Sequence, residues 1–193
     1  MLPQCLLAAG CFDDSPSVKK GIDPKTNIMI RDLVGQEYQD LQQLLDNMVG
    51  KWKGKAVEIT CKGSIEDPVE DKREYDVEAE IVKQRPYMTF SLESTWYSAR
   101  KKSTRLENLD LHLSKDYLRV NSDQQEGDLE LLKVSNNFLA FLKKNIIRNR
   151  VGGIVAQEVV RTIAFVNGML MIEYLTYVNG ILVIRSEWEL SSN

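Results

Sequence analysis

The sequence predicts a mainly β protein, an antiparallel up-and-down β-barrel of about nine or ten strands preceded by one N-terminal helix. Three observations predict it. Beyond Gly50, run after run alternates apolar with polar residues, the period of a strand with one apolar face. Two Asn-Gly pairs, Asn167-Gly168 and Asn179-Gly180, sit between β-rich runs near the C-terminus and supply the positive φ angles of type I′ hairpins. A sheet of this size would also present exposed edges unless it closed on itself.

The helix lies in "RDLVGQEYQDLQQLLDNMVG", where Val34, Tyr38, Leu41, Leu45 and Met48 fall on one stripe and Gly50 is placed to end it. Strands follow at Val57, Ile59 and Cys61, then at Tyr75, Val77, Ala79 and Ile81. Met88, Phe90, Leu92, Ser94 and Trp96 make another, and Leu109, Leu111 and Leu113 the next. Polar turns separate later runs: "SKD" at 114–116 before "YLRV", and "NSDQQEGD" before "LELLKV". The final "VVRTIAFVNGMLMIEYLTYVNGILVIRSEWEL" reads as a three-stranded meander. Only "SNNFLAFLKKNIIRNRVGG" fits two periods, helical through Phe138, Leu142 and Ile146 and extended through Leu139 and Phe141, and it is read as irregular.

Two-residue turns fix register in the meander, with Val166 opposite Met169 and Val178 opposite Ile181. Counting outward aligns Arg161, Tyr174 and Arg185 on one face, joined by Val159, Thr176, Val183, Ile163, Ile172 and Glu187. The other face carries Val160, Leu175, Ile184, Ala164, Met171, Trp188, Leu182 and Tyr177, with Thr162, Glu173 and Ser186 as a polar row. The second face is the more apolar and is expected to turn inward, making Glu173 the central acid of a greasy cavity. If the first face turns inward instead, two guanidiniums beside a phenol form a carboxylate clamp.

Strand order, the "GKW" of Gly50, Lys51 and Trp52 after a helix, and Arg185 in the last strand resemble the lipocalin and calycin group, including fatty-acid-binding and nitrobindin-like barrels. The resemblance implies that Trp52 packs under Arg185 to close the barrel's base, and that two Arg and a Tyr hold a carboxylate. The histidine that a nitrobindin-like haem site would need near the C-terminus has no counterpart; the one histidine, His112, falls on the polar side of its strand.

The N-terminus carries a second resemblance. Leu7, Ala8, Ala9 and Gly10 before Cys11 are similar to the end of a bacterial lipoprotein signal, although ten residues without Lys or Arg make only a remnant of one. This implies lipidation at Cys11 and a membrane reached through a lipid anchor, with Phe12 in place of an inner-membrane retention aspartate. The expected organisation is a signal remnant over 1–10, a flexible tether over 11–30, and a helix plus lipocalin-like barrel over 31–193. The tether is read from its Asp, Ser, Pro, Lys and Gly content, too polar to bury a core. With Cys5 lost and Cys11 acylated, Cys61 is the only thiol, a small core residue, and no disulfide is expected. The expected location is the outer membrane or periplasm, or the cytoplasm if Cys11 is not processed.

A net charge of −3 gives no pull toward nucleic acid. No nucleophile elbow, zinc helix, C-x-x-C or phosphate loop is present, so no catalytic residue, metal or cofactor is expected. The acids of "DQQEGDLE" lack calcium-loop spacing and read as a solvated turn. The basic clusters "ARKKSTR" and "KKNIIRNR" read as solubilising loops, with anionic lipid headgroups as the other option. The function expected is binding of a small apolar or amphipathic ligand through Arg161, Thr162, Glu173, Tyr174, Arg185 and Ser186. The alternative is a structural or assembly lipoprotein with a filled barrel that docks a protein partner.

Overall fold

The computed structural model describes residues 9–26, 31–84, 87–98, 101–113, 118–122, 125–127, 129–148 and 152–192. Two helices, α1 (Pro16–Lys19) and α2 (Glu37–Met48), precede the strands β1 (Gly50–Gly63), β2 (Pro68–Gln84), β3 (Tyr87–Ser98) and β4 (Lys101–Leu113). Next come β5 (Leu118–Ser122), β6 (Gln125–Gly127), β7 (Leu129–Ser135), β8 (Phe138–Arg148), β9 (Ile154–Val166), β10 (Met169–Val178) and β11 (Ile181–Ser192). They pair antiparallel in one sheet of order β6-β5-β4-β3-β2-β1-β11-β10-β9-β8-β7. No ladder joins β7 back to β5 or β6 among the described residues, so the structure establishes the sheet and not the closed barrel expected from sequence. Cys5 and the 114–116 turn lie outside the described residues, as do the side chains expected to alternate along β3, Trp96 included.

Local chemistry accounts for the elements. Leu41, Leu44, Leu45 and Met48 bury the stripe of α2, whereas Val34 stays outside the helix and exposed. Asn167 and Gly168 have φ of 53° and 77°, and Asn179 and Gly180 have 50° and 87°, so both hairpins turn as the Asn-Gly pairs predict. The segment expected to be irregular is the strand β8: Leu139, Ala140, Phe141 and Leu142 are all buried, and burial on both faces erases alternation. Gly54 admits the β11 backbone so closely that a Cβ there would lie 1.9 Å from the Glu189 carbonyl oxygen. No helix among the described residues is long and apolar enough to cross a membrane.

The inner face of the sheet holds the main core. Trp52, Ala56, Val77, Ala79, Ile81, Leu139, Phe141, Ile163, Leu170, Ile172, Trp188 and Leu190 pack there with α2. Trp52 is buried and donates its indole N–H to the Met48 carbonyl at 2.8 Å, which fixes α2 at the end where β1 begins. The outer face differs from place to place. Over β8–β11 it carries a second apolar cluster of Leu142, Val160, Leu175, Tyr177 and Leu182, capped by Ala9.

That capping overturns the expectation of a free tether. Phe12 N–H donates to Leu182 O at 3.1 Å, Leu182 N–H to Asp13 O at 2.9 Å, and Ser15 N–H to Gly180 O at 2.7 Å. Ser15 also accepts from Val18 N–H as the cap of α1. Ser17 is buried and donates to Glu158, which pairs in turn with Lys144 at 3.5 Å, both side chains nearly fully buried. Cys11 and Cys61 form a disulfide with their Cα atoms 5.5 Å apart. Polar composition did not prevent packing because backbone pairing, the buried Ser17–Glu158 contact and a covalent bond hold the segment down, with Ala9 adding apolar burial at its start.

Candidate functional site

Register places five side chains on one rung of the inner face: Glu58 on β1, Ser186 on β11, Tyr174 on β10, Arg161 on β9 and Phe141 on β8. One rung toward α2 stand Ala56, Trp188, Ile172, Ile163 and Leu139. One rung away from α2 stand Thr60, Ile184, Thr176, Val159 and Lys143. The inner face therefore grades from apolar beneath α2 to polar at its far end.

At the boundary the Arg161 guanidinium, buried, lies 4.1 Å from the centre of the Tyr174 ring, a cation–π stack. Tyr174 leans on Trp188 at 5.5 Å between centroids, and the Trp188 indole donates to Ser186 Oγ at 2.8 Å. Burial pushes the Lys143 ammonium below its usual range, and the Arg161 charge pushes it further. On β8–β11 this face carries two cations, Arg161 and Lys143, and no carboxylate. The first acid met across the sheet is Glu58, which accepts from Tyr75 at 3.0 Å. Such a face can take the anionic end of a molecule whose remainder lies against Phe141, Ile163, Ile172 and Trp188.

The structure corrects the expected orientation of the meander. Arg161 and Tyr174 are neighbours as the hairpin register requires, but they face inward, while Thr162 and Glu173 face outward. Arg185 is not in their row. A bulge between Thr176 and Tyr177 shifts β11 by one residue, so Tyr174 meets Ser186, Leu175 meets Arg185 and Glu173 meets Glu187. Ser186 and Trp188 face inward as expected, and Arg185 joins Glu173 outside. Lys143 and Phe141 were missed; their signal was the extended period of 139–143, masked by an equally good helical one.

Glu173 is buried on the outer face with Oε1 unpaired among the described residues. Burial and then Glu187 raise its carboxyl to about 7, against the opposing pull of Arg185. Burial, with Glu173, Asp13 and Glu158 nearby, pushes the Tyr177 hydroxyl up to about 12. Arg185 donates to the Ala9 carbonyl at 2.6 Å and pairs with Glu187 at 3.5 Å. It stands opposite Ile59, not Trp52, so the Trp–Arg contact implied by the lipocalin resemblance is not made. Cys61 is bonded to Cys11, which corrects its reading as the lone thiol, and Cys11 Sγ bonded in this way carries no thioether-linked lipid. Lys143 and Lys144 belong to strand β8 and not to a solubilising loop, and His112 is half-buried on β4. No protein-family model matches the chain, and no curated protein matches its sequence.

Proposed function

We propose that this chain is a lipocalin-like, non-catalytic binding protein whose sheet curls into a barrel around a small amphipathic ligand. Closure is supported by chain order: the edge strands β6 and β7 follow one another with a single residue between them. The observation that carries the ligand reading is the placement of two cations, Arg161 and Lys143, on the inner face where the apolar rungs beneath α2 give way to the polar end. A ligand carboxylate or similar anion meets them; its apolar part runs toward α2. A fluorescent fatty acid should bind saturably, one per chain, and quench Trp188, while its methyl ester binds more weakly by about tenfold or more. Equal binding of acid and ester, or none of either, would defeat the reading.

The second reading, a structural or assembly protein docking a partner, is favoured by the α2 end, where Leu41, Leu44, Met48, Leu139, Ile163 and Leu170 fill the space with protein side chains. We place the protein outside the cytoplasm, in the periplasm or at the outer membrane, because a disulfide persists in an oxidising compartment. A lipid anchor on Cys11 and the Cys11–Cys61 bond exclude one another. Intact mass of the native protein, measured without reductant, distinguishes them.

A further inference from the structure

We propose that the paired ends of β8 and β9, Ile146–Arg148 with Ile154–Val155, are an insertion element for an anionic lipid bilayer. The β8–β9 ladder continues through Ile146–Ala156, Ile147–Val155 and Arg148–Ile154. Its neighbours stop short, since β10 last pairs with β9 at Val178–Gln157 and β7 first pairs with β8 at Leu129–Lys143. Beyond those pairs the β10–β11 turn still holds Ala156, which is buried, accepts from Asn179 N–H at 2.7 Å and donates to Asn179 Oδ1 at 3.0 Å; past Ala156 none of the described strands flanks the two-stranded ribbon. Ile146, Ile147 and Ile154 are 50%, 44% and 48% exposed. Ile146 and Ile147 are consecutive in an extended strand and point to opposite faces, so the ribbon is apolar on both sides. A folded protein partner would cover one side; the fluid interface of a bilayer covers both.

Charge fits the same occupant. Among the described residues from Lys143 to Gln157 there are three basic residues, Lys143, Lys144 and Arg148, and no acid. Lys144 is spent on Glu158 and Lys143 lies on the inner face, which leaves exposed Arg148 to meet headgroups. The β1–β2 hairpin at the same end is the counter-example. It also exposes Ile65 and Val69, but among Glu66, Asp67, Glu70 and Asp71, which an anionic surface repels. The insertion element stands at the polar end of the inner face, opposite α2, so the end through which a ligand reaches Arg161 is held at the membrane.

The test uses the unacylated, disulfide-bonded chain with phosphatidylcholine vesicles, with and without phosphatidylglycerol, read by co-flotation. Binding should require phosphatidylglycerol and be lost in about 0.5 M salt, where the Debye length is roughly 4 Å. Ile146→Ser with Ile147→Ser should weaken it by about tenfold or more, with near-ultraviolet circular dichroism unchanged. Arg148→Glu should weaken it by roughly fivefold or more per unit charge removed. Equal binding to both vesicles, no binding at low salt, or unaltered binding by the double variant would overturn the proposal. So would sedimentation showing that the wild-type chain self-associates through these isoleucines without lipid.

Discussion

The outer face of β1 and β2 and the outer face of β8–β11 belong to one sheet and have opposite characters. On β1–β2, Lys51, Lys53 and Lys55 stand across from Glu80, Glu78 and Asp76 at 3.9, 3.3 and 3.5 Å, all solvated. On β8–β11, Leu142, Val160, Leu175, Tyr177 and Leu182 are buried beneath the segment that begins at Ala9. From Lys51 to Lys55 the first face needs no cover, although farther along β1 Ile59 is buried and Cys61 is bonded to Cys11. The second exists only because the N-terminal segment is bonded to it, and there the covered residues resemble a core rather than a surface.

Removing the covalent part of that cover should have the largest effect. The disulfide closes a loop of about fifty residues, so Cys61→Ser should cost roughly 4 kcal/mol by loop entropy in denaturant unfolding, and the variant should bind an apolar dye at the uncovered patch. Loss of stability without dye binding would mean that the patch has another cover. A smaller effect belongs to Glu173. Its folded-state pKa of about 7 lies above the ordinary 4.5, so the folded protein holds the proton more tightly. Its cost to stability is absent below pH 4.5, grows through that window and is complete above about 7. Glu173→Gln should therefore stabilise by about 1 to 3 kcal/mol at pH 8 and change little near pH 4.5. The smallest effect is on the open face, where Lys53→Ala should shift stability by roughly 0 to 1 kcal/mol, less in high salt.

The same contrast explains what was legible in the sequence. Both Asn-Gly hairpins and α2 were readable because each rests on a local signal, positive φ or a single apolar stripe. The strand β2 was readable because its outer face is charged; β1 was legible as a strand, but Val57, Ile59 and Cys61, read as its apolar face, lie on the outer face, and Trp52 and Ala56 turn inward. The faces of β9 and β10 were not, since Val160 and Leu175 lie on one side and Ile163 and Ile172 on the other, all buried. Hydrophobicity could not choose between two covered faces. The bulge at Thr176 and Tyr177 has no glycine to announce it, and it moved Arg185 out of the row with Arg161. The Cys11–Cys61 bond spans 50 residues without any spacing motif, so nothing in the sequence paired those two cysteines.

The central claim is that β9 and β10 turn Arg161 and Tyr174 inward to a ligand while the bulge leaves Arg185 outside. Titrating a fluorescent fatty acid into Arg161→Ala and Arg185→Ala tests it directly, with the fold of each variant checked by near-ultraviolet circular dichroism. Loss of one charge-assisted partner costs about 1.5 to 3 kcal/mol, so Arg161→Ala should weaken binding more than about tenfold, and Arg185→Ala should leave it unchanged. Binding lost in Arg185→Ala and retained in Arg161→Ala would contradict the account.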